Sequence, residues 1–312
     1  MHGLEVPLTE ARANGYWTEC RARAMGTTAH VILGDSPPRL ETWALAEIER
    51  LEQCWSRFRR DSELAALHAQ AGEWVEVSAP MLLALTCASD LGHATSGLFD
   101  PTIREALERL GYDRTFEEVA SDLDRSCAEQ PGAACGFDRI EIDVDTARVR
   151  VPRGVRVDLG GLGKGLAADL VSLGLVNRGA RSALVSLGGD TRARGELPEG
   201  GWRVPVEHPF DEPRVAFTYP LGDAALVSST RRIRTWTRAN REYHHVIDPR
   251  SGDSARTPVA AVVAGASDAW WAEGIAKAIM IAGVDEGVAL AAATNVRAWL
   301  FLDDGQMIEA TR

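Results

Sequence analysis

Asp158-Leu159-Gly160-Gly161-Leu162-Gly163-Lys164-Gly165 links an extended stretch, Val155-Arg156-Val157-Asp158, to a helical pattern running from Lys164 to Leu175. Glycine lets the backbone adopt positive φ and approach a ligand closely. The helix start that follows offers free N–H groups and a partial positive charge. Lys164 adds a movable cation, and Asp158 can accept hydrogen bonds from an amino or hydroxyl group. The stretch reads as a short strand, a tight turn and a helix, and as a candidate nucleotide cradle. Taken alone, a plain strand-to-helix turn explains it equally well. The glycine spacing is wrong for a dinucleotide fingerprint, and the Gly-Lys pair lacks the spacing and the Ser/Thr of a P-loop.

Working outward, Ala44, Ile48, Leu51 and Trp55 form one helical stripe between Glu41 and Phe58. Asp61-Ser62-Glu63-Leu64 reads as a capped helix start. Ala79 to Ala94 reads as a helix with Met81, Leu82, Leu85 and Leu91 inward, ended by Ser96-Gly97. Residues 121–137 are polar, contain Pro131-Gly132 and read as a loop. Ile140-Glu141-Ile142 and Ala147 to Val151 alternate as a hairpin. Ala183 to Leu187 reads as a buried strand stopped by Gly188-Gly189. Strands are expected at 202–207, 224–228, 243–247 and 258–264, helices at 268–282 and 285–293, and a last strand at 296–302. Residues 1–15 read as a polar lead-in and 16–312 as one domain. The elements show no regular βαβα rhythm. The expected class is α+β, two intimate subdomains of mixed or antiparallel sheet with helices.

The bulk properties narrow the function. The formal charge of the 312-residue chain is -11, so a phosphate backbone would be repelled and nucleic acid is not an expected partner. The five cysteines form no CxxC pair, which argues against a disulfide framework or a zinc site. Cys54 and Cys87 fall on apolar helical positions and read as buried thiols. No apolar run is long enough for a membrane span. The N-terminus shows neither a signal peptide nor a lipobox, so a cytoplasmic location is expected.

Further candidates for chemistry lie downstream. Tyr243-His244-His245-Val246-Ile247-Asp248-Pro249-Arg250-Ser251-Gly252 brings two histidines on a strand to an Asp-Pro turn. Alternation places His244 and His245 on opposite faces. Glu273 and Lys277 share a face of the 268–282 helix, either as a surface ion pair or as a buried pair among Ala, Ile and Met. Arg231, Arg232, Arg234, Arg238 and Arg241 read more readily as a solvated hairpin face than as a diphosphate clamp. The tryptophans, among them Trp17, Trp43, Trp55, Trp202, Trp236, Trp270 and Trp271, read mostly as core, with ring stacking on a ligand as the alternative.

Taken in order, these motifs resemble the ApbE-type flavin transferases, the FAD:protein FMN transferase family. The residues that carry the likeness are Met25-Gly26-Thr27, Ser56-Arg57-Phe58 with Asp61-Ser62-Glu63-Leu64, Gly97-Leu98-Phe99-Asp100-Pro101-Thr102 and Gly111-Tyr112-Asp113. Asp158 to Gly165, Val185-Ser186-Leu187-Gly188-Gly189, Ser228-Ser229-Thr230, His245-Val246-Ile247-Asp248-Pro249 and the helix around Glu273 complete the set. The resemblance covers 16–312.

It implies that FAD is the substrate, bound by Met25, Phe58, Leu98, Phe99, Asp100, Asp158, Lys164 and Ile247. FMN would pass to a Thr or Ser hydroxyl in the flavinylation motif of an acceptor flavoprotein, and AMP would leave. The resemblance also implies a magnesium ion bridging the pyrophosphate, with the Gly161 carbonyl and side chains of the late helix as ligands. Glu273 aligns there with the family's usual Asp, Lys277 with the usual Thr, and Phe58 with a frequent Tyr. A protonated lysine has no lone pair for a metal. Either Lys277, held by Glu273, supplies part of the ion's charge, or magnesium stays with Glu273, carbonyls, phosphate oxygens and water. His245 and Asp248 are the candidates for taking the acceptor proton, although the Asp248-Pro249 turn is equally readable as structural. The catalytic set expected is His245, Lys277 and Asp248. Two rival readings are a FAD pyrophosphatase, with water as acceptor, and a non-catalytic FAD-binding protein.

Overall fold

Alternation along the buried strand Ser182–Leu187 divides its side chains between two layers. Ala183, Val185 and Leu187 join a large helix-packed cluster, whereas Leu184 joins a second cluster built around Trp202 and Val204. The computed structural model describes residues 17–121, 132–211 and 213–310. The expected lead-in, Cys127 and most of the expected 121–137 loop lie outside the described residues.

This strand belongs to an eight-stranded sheet. Its order is Trp17–Ala24, Thr27–Gly34, Ser182–Leu187, Asp190–Gly195, Ala225–Thr230, Val259–Ala266, Arg297–Leu302 and Met307–Ala310. Every neighbouring pair is antiparallel, so the α+β expectation holds and its mixed-sheet option does not. The helices Leu40–Trp55, Ala79–Ala94, Gly163–Asn177 and Ala269–Ala282 bury their apolar residues in the cluster on one face. The hairpin Trp202–Glu207 with Val215–Leu221 covers the other face. A third cluster packs Leu107, Leu110 and Tyr112 against Trp236, Tyr243 and Ile247.

Three local expectations change. Residues 155–158 form no strand, because their donors leave the ladder: Val157 N–H donates to His68 Nε2 (2.9 Å) and Asp158 N–H to the Pro101 carbonyl (2.7 Å). The 243–247 segment splits into Arg241–His244 and Ile247–Asp248, which pair with different partners. Arg297–Leu302 is not the last strand, since Met307–Ala310 pairs with it at the sheet edge.

The glycine-rich run is fixed by its crossing with the late helix, Ala269–Ala282. A Cβ on Gly165 would lie 2.5 Å from both the carbonyl carbon and oxygen of Ala269, so the two backbones touch. The late helix has no cap from its own Asp268 side chain. Asp169, on the other helix, accepts from Ala269 N–H (3.0 Å) and Trp270 N–H (2.9 Å) instead. Those are orphan donors of a helix start, and Asp169 satisfies them from across the interface.

Two predictions follow from these contacts. Gly165→Ala forces backbone apart from backbone and should cost about 2 kcal/mol or more of stability, read as a lowered midpoint in thermal unfolding. His68 must be neutral at Nε2 to accept from Val157. Burial first, then Arg104 and Arg156, depress its pKa from 6.5 to about 4. The unfolded chain therefore takes up this proton at higher pH than the folded one. The contribution is whole above pH 6.5 and is lost as pH falls to about 4, at most about 3 kcal/mol in all. Urea unfolding of the wild type and of His68→Gln across that range checks this: the variant should show the shallower decline.

Candidate active site

A cavity of about 650 Å³ opens between the helical layer and the third cluster. Its first wall is the tip of the edge hairpin. Met25 and Gly26 both have positive φ (50° and 67°), as a two-residue hairpin turn of the primed type requires. Met25 pays for this conformation with an anchor: its N–H donates to Glu52 at the end of the Leu40–Trp55 helix (2.6 Å).

The second wall is aromatic. Arg57 lies 4.2 Å from the ring centre of Phe58 and 4.4 Å from that of Tyr112. Its Nε meets Asp158 at 3.0 Å, and its Nη1 donates to the Tyr112 carbonyl at 2.8 Å. Arg57 is thereby almost wholly buried and ties the aromatic wall to the glycine-rich turn. Asp158 also accepts from Gly160 N–H (2.6 Å) and so shapes that turn. Asp100 accepts from Thr102 N–H and Oγ1 (both 2.7 Å) and from Phe137 N–H (3.2 Å). Burial raises its pKa against these hydrogen bonds.

The floor is a cluster of four charged groups. Glu273 is fully buried and accepts from Gly165 N–H (2.8 Å), Lys277 Nζ (2.9 Å) and Lys164 Nζ. Lys164 Nζ also meets Asp190 Oδ2 at 2.6 Å. Burial alone would raise the Glu273 pKa, but Lys164 and Lys277 outweigh it and bring it down to about 2. Burial likewise works against the Lys164 charge, and Asp190 and Glu273 overcome it and raise its pKa. Burial and the Glu273 charge push Asp190 up to about 7. Burial lowers Lys277; Glu273 pulls it back up and Lys164 adds to the fall. The Lys277 chain runs beside Gly161, 3.8 Å from where a Cβ would stand. Among the described residues, no three or more His, Cys, Asp or Glu side chains gather in a group that could hold a metal ion.

His245 stands on the same cavity. Burial, then the nearby Arg234 and Lys277 charges, hold its pKa well below the ordinary value, so the ring is neutral at neutral pH. Its Nδ1 is buried and has no hydrogen-bond partner among the described residues. His244, the last residue of its strand, points elsewhere, with Nε2 3.0 Å from the Ala255 carbonyl.

Most of the expected set comes together. Met25, Phe58, Leu98, Phe99, Asp100, Asp158, Gly161, Lys164, His245, Ile247 and Lys277 all line the cavity. Glu273 lies behind that wall, on the lysines. Asp248 does not line it. Its carboxylate takes Arg250 Nε (2.9 Å) and Nη2 (2.8 Å) and Arg250 N–H (2.9 Å), which makes it the turn residue.

Sequence reading missed Asp190 and Glu52, quoted Arg57 only within a motif, and read Arg234 more readily as part of a solvated face. The signal for Asp190 was a carboxylate directly after the Gly188-Gly189 stop of a buried strand. The arginine group is not one solvated face. Arg238 is buried, with a hydrogen bond to the Val119 carbonyl (3.5 Å), and Arg234 lines the cavity. Of the tryptophans named for stacking, Trp55 alone is on the cavity wall.

Comparison with known proteins follows the same residues. The sequence model of the ApbE family matches residues 25–300. A FAD:protein FMN transferase of Vibrio cholerae is 26% identical over 315 residues, which covers 97% of this chain and 91% of that protein. A FAD:protein FMN transferase of Rhodobacter capsulatus is 29% identical over 85% of this chain, which spans 51% of that protein's length. The crystal structure of the ApbE protein from Thermotoga maritima superposes with a TM-score of 0.82 at 25% identity, covering 95% of this chain and 97% of that one. A family match that runs from the hairpin tip at Met25 to the strand beyond the late helix takes in every wall of the cavity, and the chain belongs to the ApbE family.

Proposed function

We propose that this chain is a FAD:protein FMN transferase, which moves FMN from FAD to a Thr or Ser hydroxyl of an acceptor protein and releases AMP. The observation that carries this reading is one cavity lined by a neutral histidine, His245, and by two lysines, Lys164 and Lys277. A pyrophosphate needs positive charge, and an attacking hydroxyl needs somewhere to put its proton.

In the step proposed, the acceptor oxygen forms a bond to the FMN-side phosphorus of FAD. The bond from that phosphorus to the bridging oxygen breaks, and the bridging oxygen leaves with AMP. The acceptor proton passes to His245. Lys164 and Lys277 offset the charge that builds on the phosphate oxygens, and the protein's main task is in-line positioning. Met25, Phe58, Phe99 and Tyr112 offer flat or flexible apolar surface to the rings of FAD. Asp158 and Asp100, both spoken for by neighbouring donors, shape the walls more than they bind.

The test follows AMP release and acceptor mass after incubation with FAD. AMP matched by an FMN-sized mass gain is expected. AMP without an acceptor adduct would instead mean hydrolysis, and FAD left whole would mean a flavin-binding protein. His245→Asn should lower turnover by about a hundred-fold or more while FAD affinity, read by flavin fluorescence, changes little. A protonated His245 cannot accept a proton. Because its pKa is lowered, wild-type turnover should stay level as pH drops through 6.5 and fall only below it, and His245→Asn should lose that acid limb.

A further inference from the structure

The family resemblance brings magnesium to the pyrophosphate, through the Gly161 carbonyl and the late-helix side chains at 273 and 277. The donor set of this chain does not fit that ion. Of the two late-helix positions, 277 carries an ammonium, which has no lone pair to give. The other, Glu273, is fully buried and has both oxygens engaged: Oε1 takes Lys164 and Lys277, and Oε2 takes Gly165 N–H. A divalent ion on Glu273 would stand against two ammonium groups, and displacing either would leave a buried charge without its partner. Asp190, the other carboxylate of the cluster, is already on Lys164.

We infer that the Lys277 ammonium, anchored by Glu273, is this enzyme's resident cation and takes the place of magnesium at the pyrophosphate. This rests on the transferase reading for its substrate and goes beyond it in naming how the charge is met. Lys277 is well placed for the part. It lines the cavity, and its Nζ is 2.9 Å from a buried carboxylate that a second lysine and a backbone N–H also hold. A lysine fixed in this way supplies charge without metal uptake or loss. It supplies one unit where magnesium supplies two, and Lys164 stands beside it on the same carboxylate.

The experiment compares the wild type with Lys277→Thr and Lys277→Met. Manganese(II), as a paramagnetic stand-in for magnesium, is titrated into each protein with FAD present and followed by electron paramagnetic resonance. Transfer of FMN to an acceptor domain is followed with chelator and with added magnesium. The wild type should hold no tight manganese, and its turnover should be equal in both conditions. Lys277→Thr removes one of the two ammonium groups on Glu273 Oε1 and puts a hydroxyl oxygen in its place, so it should gain a manganese site and become dependent on magnesium. Lys277→Met should fall by about a hundred-fold or more in either condition. Glu273 keeps Lys164 and Gly165 in these variants, and an unchanged thermal midpoint would show that the fold survives. Tight manganese in the wild type, or loss of wild-type turnover in chelator, would overturn the inference, as would a Lys277→Thr protein indifferent to metal. If no FMN reaches an acceptor in any sample, the transferase reading fails, while the manganese titration still decides this one.

Discussion

Two helix starts that hold each other underlie the rest of this molecule. Glu273, on the late helix, accepts the Gly165 N–H, and Asp169, on the glycine-led helix, accepts the Ala269 and Trp270 N–H groups. The free donors of each helix are thus met by a carboxylate of the other. The exchange works only at backbone contact, which Gly165 allows because it has no Cβ. Its consequence is positional. Gly161, Lys164 and Lys277 come from segments about a hundred residues apart, yet the crossing sets them on one wall with little freedom to drift.

The same crossing explains why two buried carboxylates a short distance apart differ so much. Glu273 has three donors and is held at about 2. Asp190 has Lys164 and the repulsion of Glu273, and burial leaves it near 7. Their formal charges and those of the two lysines cancel. A cluster of this kind contributes little to stability relative to an apolar replacement of equal volume. Its retention is better explained by what the open side does. The lysine side chains keep some exposure, 19% for Lys164 and 14% for Lys277, and the carboxylate side chains almost none. The cluster presents positive charge to the cavity and turns its negative charge inward. That arrangement also resolves how a chain with net charge -11 receives a polyanion: the local surface is cationic although the whole is not.

What could be read from the sequence is what depends on neighbours along the chain. The stripes at 40–55, 79–94 and 269–282 gave their helices because burial on one face imposes the helical period. The ordered motifs brought eleven cavity residues into one set, since each motif is a local backbone shape next to a side chain. What depends on a distant partner was not legible. Residues 155–158 look like a strand, but His68 and Pro101 take the donors a ladder would use. Asp190 gains its meaning only from Lys164, and Arg238 is buried because Val119 and the third cluster close over it. The short edge strand Met307–Ala310, with Glu309 outward toward Arg297, has too few residues to show a period. Asp248, which is not among the cavity-lining residues, is the opposite case. Its turn chemistry with Arg250 is wholly local and accounts for it in full.

The cationic wall and the neutral histidine are one electrostatic arrangement. Arg234, Lys277 and Lys164 each help to keep a proton off His245. They are also the charges that a pyrophosphate would offset on arrival. As the anion neutralises them, their hold on His245 weakens and its affinity for a proton rises. The base would then be strongest when substrate is in place, which is when the acceptor hydroxyl must give up its proton. The coupling needs no movement of the chain. It requires only that the histidine and the lysines share a wall of low dielectric, and the crossing of the two helices fixes the lysines there.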